Sequence, residues 1–526
     1  MSQQTGNNKL FALISALESG KNFDHPVEHF EIVETHISFV LLTGPFAYKF
    51  KKPVDLGFLD FSTLEKRKHY CEEELRLNSR HAPEIYVDVI TITGTEQSPV
   101  INGDGPVLEY GVRMVQFDRD RELDKLISTG GVTPALIDKL AQVIVAFHAA
   151  ADVAPADSPY GSLENVRKPL LENFSRIKSG LQTDKDTMEQ LDALERWSDS
   201  EYEKLIPVFE MRKTGGFIRE CHGDLHLGNI VLFKDQPVLF DCIEFSKTLH
   251  WIDIMNDIAF LVMDLDEHRC HALSHRLLNA CLESGGDYAG LAVLRYYLVY
   301  RALVRAKVAC IRLEQDTHDK QARSNYRRYV DLATDYTKPA RPILYLTCGV
   351  SATGKTTVSQ ALLEKTGAIR IRSDVERKRL HGLAADVRSG SAIDAGLYSK
   401  EITGKTYTRL QQLAGEILEA GYSVIADATF LQAPYRQDFF RLAERCHITP
   451  VILHCVADKA ILEDRLRQRN LEAVDASEAD IRVLLHQLET LDPLDDTEKK
   501  YTVEIDTGQQ LDFESIQSAV DNLRLE

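Results

Sequence analysis

The octet GVSATGKT, Gly349 to Thr356, closes the apolar run PILYLTC and opens a stretch of helical character. Glycines let successive backbone N–H groups of such a loop turn inward around phosphate oxygens, and the next helix presents its positive end. The pattern G-x-x-x-x-G-K-[ST] thus sets a strand ending at the loop and a helix beginning near Lys355. Residues Gly349, Val350, Ser351, Ala352, Thr353, Gly354, Lys355, Thr356 and Thr357 form the expected phosphate-binding set. In it Lys355 neutralises the β- and γ-phosphates and the Thr356 hydroxyl ligates Mg2+. Downstream, AIRIRSDV, SVIADATF and PVILHCVA are short apolar segments separated by helical stretches. That alternation implies a parallel sheet with helices on both faces.

The same region supplies carboxylates and cations. Asp427 ends the strand SVIAD, the position of a second Mg2+-site group. Asp374 follows the next strand, at the edge where ligands gather in such sheets, and reads as a general base. Arg372, Arg377, Lys378 and Arg379 surround it; the alternative is a salt-bridged helix start. Arg465 and Arg469 lie four apart in ILEDRLRQRN. They either close over the phosphates as transition-state cations or pair along the helix with Glu463 and Asp464.

Further upstream a second constellation has a different order. HGDLHLGN, His222 to Asn229, is too broken by glycine for a helix and holds Asp224 and Asn229 five positions apart. Transfer of a γ-phosphoryl group to a hydroxyl needs a carboxylate base and a metal held against the phosphates. Asp224 suits the first role and Asn229 the second, with Asp241 of PVLFDCIEF as the further oxygen ligand for a hard cation. Lys49 in FAYKFKK can hold the α/β-phosphates, and Glu74 in CEEELRLN can fix it. The chain around these residues is strand-rich from about residue 30 to 115, with a hairpin turn at Thr43-Gly44-Pro45, and mostly helical from 123 to about 336. Two prolines in YTKPARPILYLTCGV mark a boundary.

On HGDLHLGN, LFDCIEF, Lys49 and the strand VRMVQF, residues from about 25 to 335 resemble the aminoglycoside phosphotransferase branch of the protein-kinase-like fold. That resemblance implies Asp224 as catalytic base, Asn229 and Asp241 as Mg2+ ligands, and residues Met114 to Gln116 against adenine. His226 is expected to pack the loop, and Asp257 to cap the following helix and brace the loop. The sequence departs from kinases with a glycine-rich loop: only ETHISFVLLTGPF precedes Lys49. The set GVSATGKT, RSDVERKRL, VIADATF and DRLRQR resembles P-loop kinases related to polynucleotide 5′-kinases, zeta-type toxins and chloramphenicol phosphotransferase. In that group an Asp at the position of Asp374 takes the acceptor proton, and the Arg at the position of Arg377 holds an anionic part of the acceptor. The whole chain resembles a bacterial fusion of the two. The implied fold class is an α+β bilobal protein-kinase-like domain over 1–335, with a small lobe at about 25–117 and a helical lobe at about 118–335. A linker at 336–342 then leads to an α/β P-loop kinase domain with a parallel sheet over 343–526.

Composition narrows the partners. With 62 basic and 80 acidic residues the formal charge is −18, and from Pro342 to the end 22 basic against 29 acidic residues leave −7. Extended nucleic acid is therefore disfavoured, although a 5′-terminus remains an option. The basic residues between Arg370 and Arg379 instead favour a small or terminal acceptor carrying an anionic group, such as a nucleotide or phosphosugar. The sequence has no 18-residue apolar run and nine scattered cysteines with no C-x-x-C pair, which reads as cytoplasmic, with no membrane association. The expected protein binds ATP and Mg2+ at two sites, each phosphorylating a hydroxyl acceptor, a small molecule in the first domain. Alternatives are a regulatory nucleotide sensor in one domain, or a C-terminal polynucleotide 5′-hydroxyl kinase or ATPase switch. Asp374 argues against a pure ATPase, which needs no acceptor base.

Overall fold

The computed structural model describes residues 2–19, 23–57, 59–180, 185–316, 318–383, 399–472 and 481–523. Two compact units are present: Met1–Gln182 with Tyr202–Asp264, and Thr183–Glu201 with Leu265–Glu526.

The first unit begins with a six-stranded antiparallel sheet of β1 (Glu31–Glu34), β2 (Ser38–Leu42), β3 (Phe46–Lys51), β4 (Tyr86–Thr95), β5 (Ser98–Ile101) and β6 (Glu109–Val115). Its order is β1-β2-β3-β6-β4-β5. The hairpin turn falls at Thr43-Gly44-Pro45 as expected, with Val40 opposite Lys49. Gly44 has φ 101°, and a Cβ there would lie 2.8 Å from Glu28 Cβ, so the turn requires glycine. The two-residue period of β3 splits its side chains between two cores. Tyr48 and Phe50 join Phe39, Leu41 and the helix residues Leu10, Leu13 and Ile14 on one face. Ala47 joins Leu42, Val112, Met114 and Cys71 on the other. Lys49 and Lys51 share the Ala47 face, toward the helix Leu64–Ser79 that carries Cys71 and Glu74. That helix starts where Thr63 accepts from Lys66 N.

The remainder of this unit is mostly helical, as expected. Two small antiparallel pairs frame the HGDLHLGN segment. β7 (Ile218–Glu220) precedes it, and β8 (Ile230–Phe233) and β9 (Gln236–Leu239) follow it; β10 (Trp251–Asp253) pairs with β7.

The second unit is built on a five-stranded sheet of β11 (Leu344–Cys348), β12 (Ile369–Arg372), β13 (Val424–Asp427), β14 (Pro450–Val456) and β15 (Thr502–Asp506). The order is β12-β13-β11-β14-β15, with every neighbouring pair parallel. Strands buried on both faces read as continuous apolar runs, which is why LYLTC and VIAD lack alternation. Tyr345, Ile425, Val451, Leu453 and Ile505 pack with Val358, Leu362 and Leu363 of the helix Lys355–Thr366.

The division into units does not fall at the 336–342 linker. The helices from Leu265 onward group with the parallel sheet, and His271–Gly285 gives the physical reason. Asn279 on that helix donates to Ala368 O at 3.2 Å and accepts from Arg370 N at 2.7 Å, satisfying the free edge of β12. His275 bonds Glu364 O at 3.0 Å, and Arg276 pairs with Glu364 at 2.5 Å. Among the described residues no helix is long and apolar enough to cross a membrane.

Candidate active sites

In the first unit Lys49 Nζ donates to Glu74 Oε1 at 2.9 Å and to Asp241 Oδ1 at 2.5 Å. Burial works against the Lys49 ammonium, but Asp241, Glu74 and Glu244 outweigh it and hold its pKa well above the ordinary value. Burial likewise pushes the Glu74 carboxyl up, yet Lys49 and Lys51 pull it down to about 2. Three of the expected residues are thus brought together by three separate elements. Asp241 follows β9 in a left-handed conformation, φ 65°, uncommon outside glycine, and its main-chain N donates to Tyr86 Oη at 3.1 Å.

Asp224 and Asn229 also meet: Asn229 Nδ2 donates to Asp224 Oδ2 at 3.1 Å and to its main-chain O at 3.0 Å. With its nitrogen so engaged, Asn229 presents a carbonyl oxygen as its ligating atom. The loop is held from beneath by acids. Asp257 accepts from His222 N at 3.1 Å and Gly223 N at 3.0 Å, the expected brace, and is itself held by His148 at 3.0 Å. It lies inside the helix Ile254–Glu267, whose start Asp253 caps instead by accepting from Met255 N. Asp264 accepts from Leu227 N at 2.9 Å. Gly223 has φ 84°, and a Cβ there would stand 2.7 Å from Leu249 O, so no other residue lets the chain pass. His226 accepts from Gly228 N at 3.1 Å and packs on Phe260, consistent with a loop-packing role.

Met114 and Gln116 have their side chains engaged by the fold. Met114 lies in the core with Ala47, Tyr86 and Val231. Gln116 Oε1 accepts from Thr43 N at 3.0 Å and Gly44 N at 2.9 Å, bracing the β2–β3 turn. Two residues of the Lys49 cluster, Lys51 and Glu244, were not foreseen from the sequence. Lys51, two positions along β3 from Lys49, donates to Glu74 Oε2 at 2.7 Å and also reaches Glu244 of LFDCIEF. The signal was present in the i, i+2 lysine spacing, which puts both ammonium groups on one strand face.

In the second unit the loop Gly349–Thr357 joins β11 to the helix Lys355–Thr366, as expected. Gly349, φ 142°, passes Cys455 O so closely that a Cβ would lie 2.5 Å away; Gly354 has φ 77°. Ala352 takes φ 66° without being glycine, local strain of the kind found at ligand sites. Lys355 Nζ donates to Gly349 O at 2.9 Å and Val350 O at 2.7 Å. Burial lowers its pKa; Cys455, Asp427 and Asp374 oppose that shift. Ser359, one turn after Thr356, donates to Asp427 Oδ2 at 2.9 Å, and Thr347 reaches Asp427 at 3.4 Å. Both fix the strand-end carboxylate beside the helix that carries Thr356.

Asp374 opens the helix Ser373–Leu380 and accepts from Arg377 at 2.9 Å. The other arginines nearby also have acidic partners: Arg370 and Arg372 meet Glu283 at 3.2 Å each, and Arg379 meets Glu376. The local positive excess is therefore smaller than residues 370–379 alone suggest. Arg465 does not pair with Glu463 or Asp464 along its helix. Its guanidinium donates to Ala352 O at 3.1 Å, Thr507 Oγ1 at 3.0 Å and Thr507 O at 2.6 Å. Glu463 pairs instead with Arg467 at 3.6 Å. Arg465 thus ties the loop to the end of β15. The side chain of Arg469 lies outside the described residues. Gln487, unforeseen, accepts from Ser351 N at 2.7 Å.

Residues 344–494 match the family model described as "AAA domain", and residues 81–296 match the "Phosphotransferase enzyme family". The uncharacterized protein Rv2004c of Mycobacterium tuberculosis and Mb2027c of Mycobacterium bovis are each 30% identical over 449 residues. The alignment covers 85% of this chain and 88% of each of theirs. The chain belongs to their family. It joins a phosphotransferase domain of protein-kinase-like fold to a P-loop kinase-like domain, and it is an enzyme of the kinase class. Among solved structures, a choline/ethanolamine kinase family protein from Mesorhizobium loti is 10% identical, spanning 63% of this chain and 95% of that one, with a TM-score of 0.41. A gluconokinase from Sinorhizobium meliloti is 22% identical, spanning 35% and 93%, with a TM-score of 0.24.

Proposed function

We propose that this kinase carries two ATP- and Mg2+-dependent sites, each transferring a γ-phosphoryl group to a hydroxyl. The observation that carries the reading is Lys49 gripped by both Glu74 and Asp241, in the unit where Asn229 holds Asp224. In the first unit Lys49 neutralises phosphate charge, and Asp224 orients the acceptor hydroxyl and takes its proton. Asn229 and Asp241 offer the oxygen set that suits a hard cation, as do Thr356 and Asp427 in the second unit. Mg2+ bound there supplies charge neutralisation on the transferring phosphoryl group. In the second unit the loop N–H groups and Lys355 cradle the phosphates, and Asp374 serves as base.

The first acceptor is read as a small hydroxyl compound. The second is read as a small or terminal acceptor with an anionic group, drawing Arg377 from Asp374 and freeing the base as it binds. Free cysteines throughout the chain agree with a cytoplasmic setting. The deciding experiment incubates full-length protein with labelled ATP and a panel of sugars, nucleosides, nucleotides and 5′-hydroxyl oligonucleotides, with Asp224→Asn and Lys355→Ala alongside. Label transfer lost selectively in one variant assigns an acceptor to its unit. ATP turnover that no acceptor stimulates would reject the reading.

A further inference from the structure

The carboxylate of Glu283, near the end of the helix His271–Gly285, holds two guanidinium groups. Oε2 lies 3.2 Å from Arg370 Nη2 and Oε1 lies 3.2 Å from Arg372 Nη1. The side chains of Arg370 and Arg372 are only 9% and 14% exposed, so water gives them little alternative. Arg370 Nε, within the same cluster, has no hydrogen-bond partner among the described residues. Both arginines stand next to carboxylates of the P-loop site. Arg370 Nη1 is 3.5 Å from Ser359 Oγ, which itself donates to Asp427 at 2.9 Å. Arg372 ends β12, two residues before Asp374. A buried guanidinium without a counter-charge is strongly unfavourable and pairs with whatever anion it can reach. The carboxylates of the P-loop site that this cluster borders are Asp427, behind Ser359 and opposite Arg372 in the β12–β13 register, and Asp374, two residues along the chain.

We propose that Glu283 is a positioning residue of the P-loop site, keeping Arg370 and Arg372 off Asp427 and Asp374 so that these remain for cation and acceptor. This rests on the reading of that loop as a Mg2+·ATP site. It also gives the helix His271–Gly285, which lies before the linker, a chemical role in the parallel-sheet unit. With Glu283 neutralised, Arg370 turns toward Ser359 and Asp427, and the cation meets a carboxylate already occupied by positive charge.

The test uses full-length protein carrying Lys49→Ala, which weakens the first site, and measures ATP binding by calorimetry across a Mg2+ series. Glu283→Gln keeps the side chain's shape and should raise the Mg2+ concentration needed for half-maximal binding by about 10–100-fold, the usual effect of losing a partner behind a metal ligand. Adding Arg370→Gln to Glu283→Gln removes the charge that turns toward Ser359 and Asp427 and should return the Mg2+ requirement toward that of the parent. An unchanged requirement in Glu283→Gln, including one accompanied by a lower melting temperature, would overturn the proposal, as would failure of Arg370→Gln to restore it. Should the parent show no Mg2+-dependent binding that Lys355→Ala removes, the P-loop reading itself fails and the proposal falls with it.

Discussion

Lys51 donates to Oε2 of Glu74 at 2.7 Å, and neither side chain is exposed to solvent. Glu74 is therefore shared: Oε1 serves Lys49 and Oε2 serves Lys51, which also reaches Glu244. The two lysines should separate by substitution. Lys49→Ala leaves Glu74 paired with Lys51, so the fold should persist while nucleotide affinity at the first site falls. Lys51→Ala strands Glu244 and half of Glu74 in the core and should destabilise the protein by about 3–5 kcal/mol, the range for breaking a buried pair. Urea melts beside nucleotide titrations check both; equal losses of stability would contradict the division of roles.

The same carboxylate makes a pH prediction. The Glu74 pKa is held at about 2, below its ordinary 4.5. A depressed carboxyl contributes stability that is fully present above the unfolded pKa and is lost as pH falls through the folded one. The stability advantage of the parent over Glu74→Gln should thus be constant above pH 4.5 and shrink from there toward pH 2. Denaturant midpoints of the two proteins, compared along a descending pH series, read this out. An advantage that grew on acidification would refute the assignment.

Asp224→Asn should abolish transfer at the first site while sparing ATP binding. The amide retains the side chain's shape but cannot take a proton, and a positioned base contributes about 10²–10⁴-fold. The measurement is turnover with a first-unit acceptor, paired with nucleotide affinity. Full turnover in the variant would remove Asp224 from the base role.

Calorimetry of the parent should report two nucleotide sites, and Lys355→Ala one. Lys355 is the loop's own cation, whereas Lys49, the proposed partner of the other nucleotide, lies on a strand of the first unit. One site in the parent would mean that one unit has lost nucleotide binding and would favour a regulatory role for it.

Much of this arrangement was legible in the sequence because it rests on local chemistry. Gly349 and Gly354 announce a loop that a Cβ would obstruct, and Asp224 and Asn229 are close enough in sequence for one short loop to bring them together. From the sequence, Lys49 is matched with Glu74 and Asp241 with a cation, and the pairing of Lys49 with Asp241, 192 positions apart, was not foreseen. What sequence did not give was partner choice among charges. Arg465 and Glu463 stand only two positions apart, on different faces of their helix, so Glu463 pairs with Arg467 and the carbonyls of Ala352 and Thr507 take Arg465. Glu283 lies before the linker, and no local pattern announces that its helix would cover the β12 edge.

Arg465 provides the last test, because its geometry distinguishes a brace from a transition-state cation. A cation that acts only on the developing charge of the γ-phosphoryl group leaves ATP affinity almost intact when removed and lowers the rate of transfer. Arg465 instead makes three hydrogen bonds, to Ala352 O, Thr507 Oγ1 and Thr507 O. Ala352 is the loop residue in the strained left-handed conformation, φ 66°. Arg465→Ala should release that residue, loosen the cradle, and weaken ATP and ADP binding at the second site by the same factor. Charge-assisted hydrogen bonds of this kind are worth about 1.5–3 kcal/mol, or roughly 10–100-fold in affinity. Lys, a point charge without the planar fork, should restore little of it. Titrating both nucleotides against the variant decides the matter: equal losses for ATP and ADP identify the brace, and preserved affinity with slowed transfer would return Arg465 to the role of a catalytic cation.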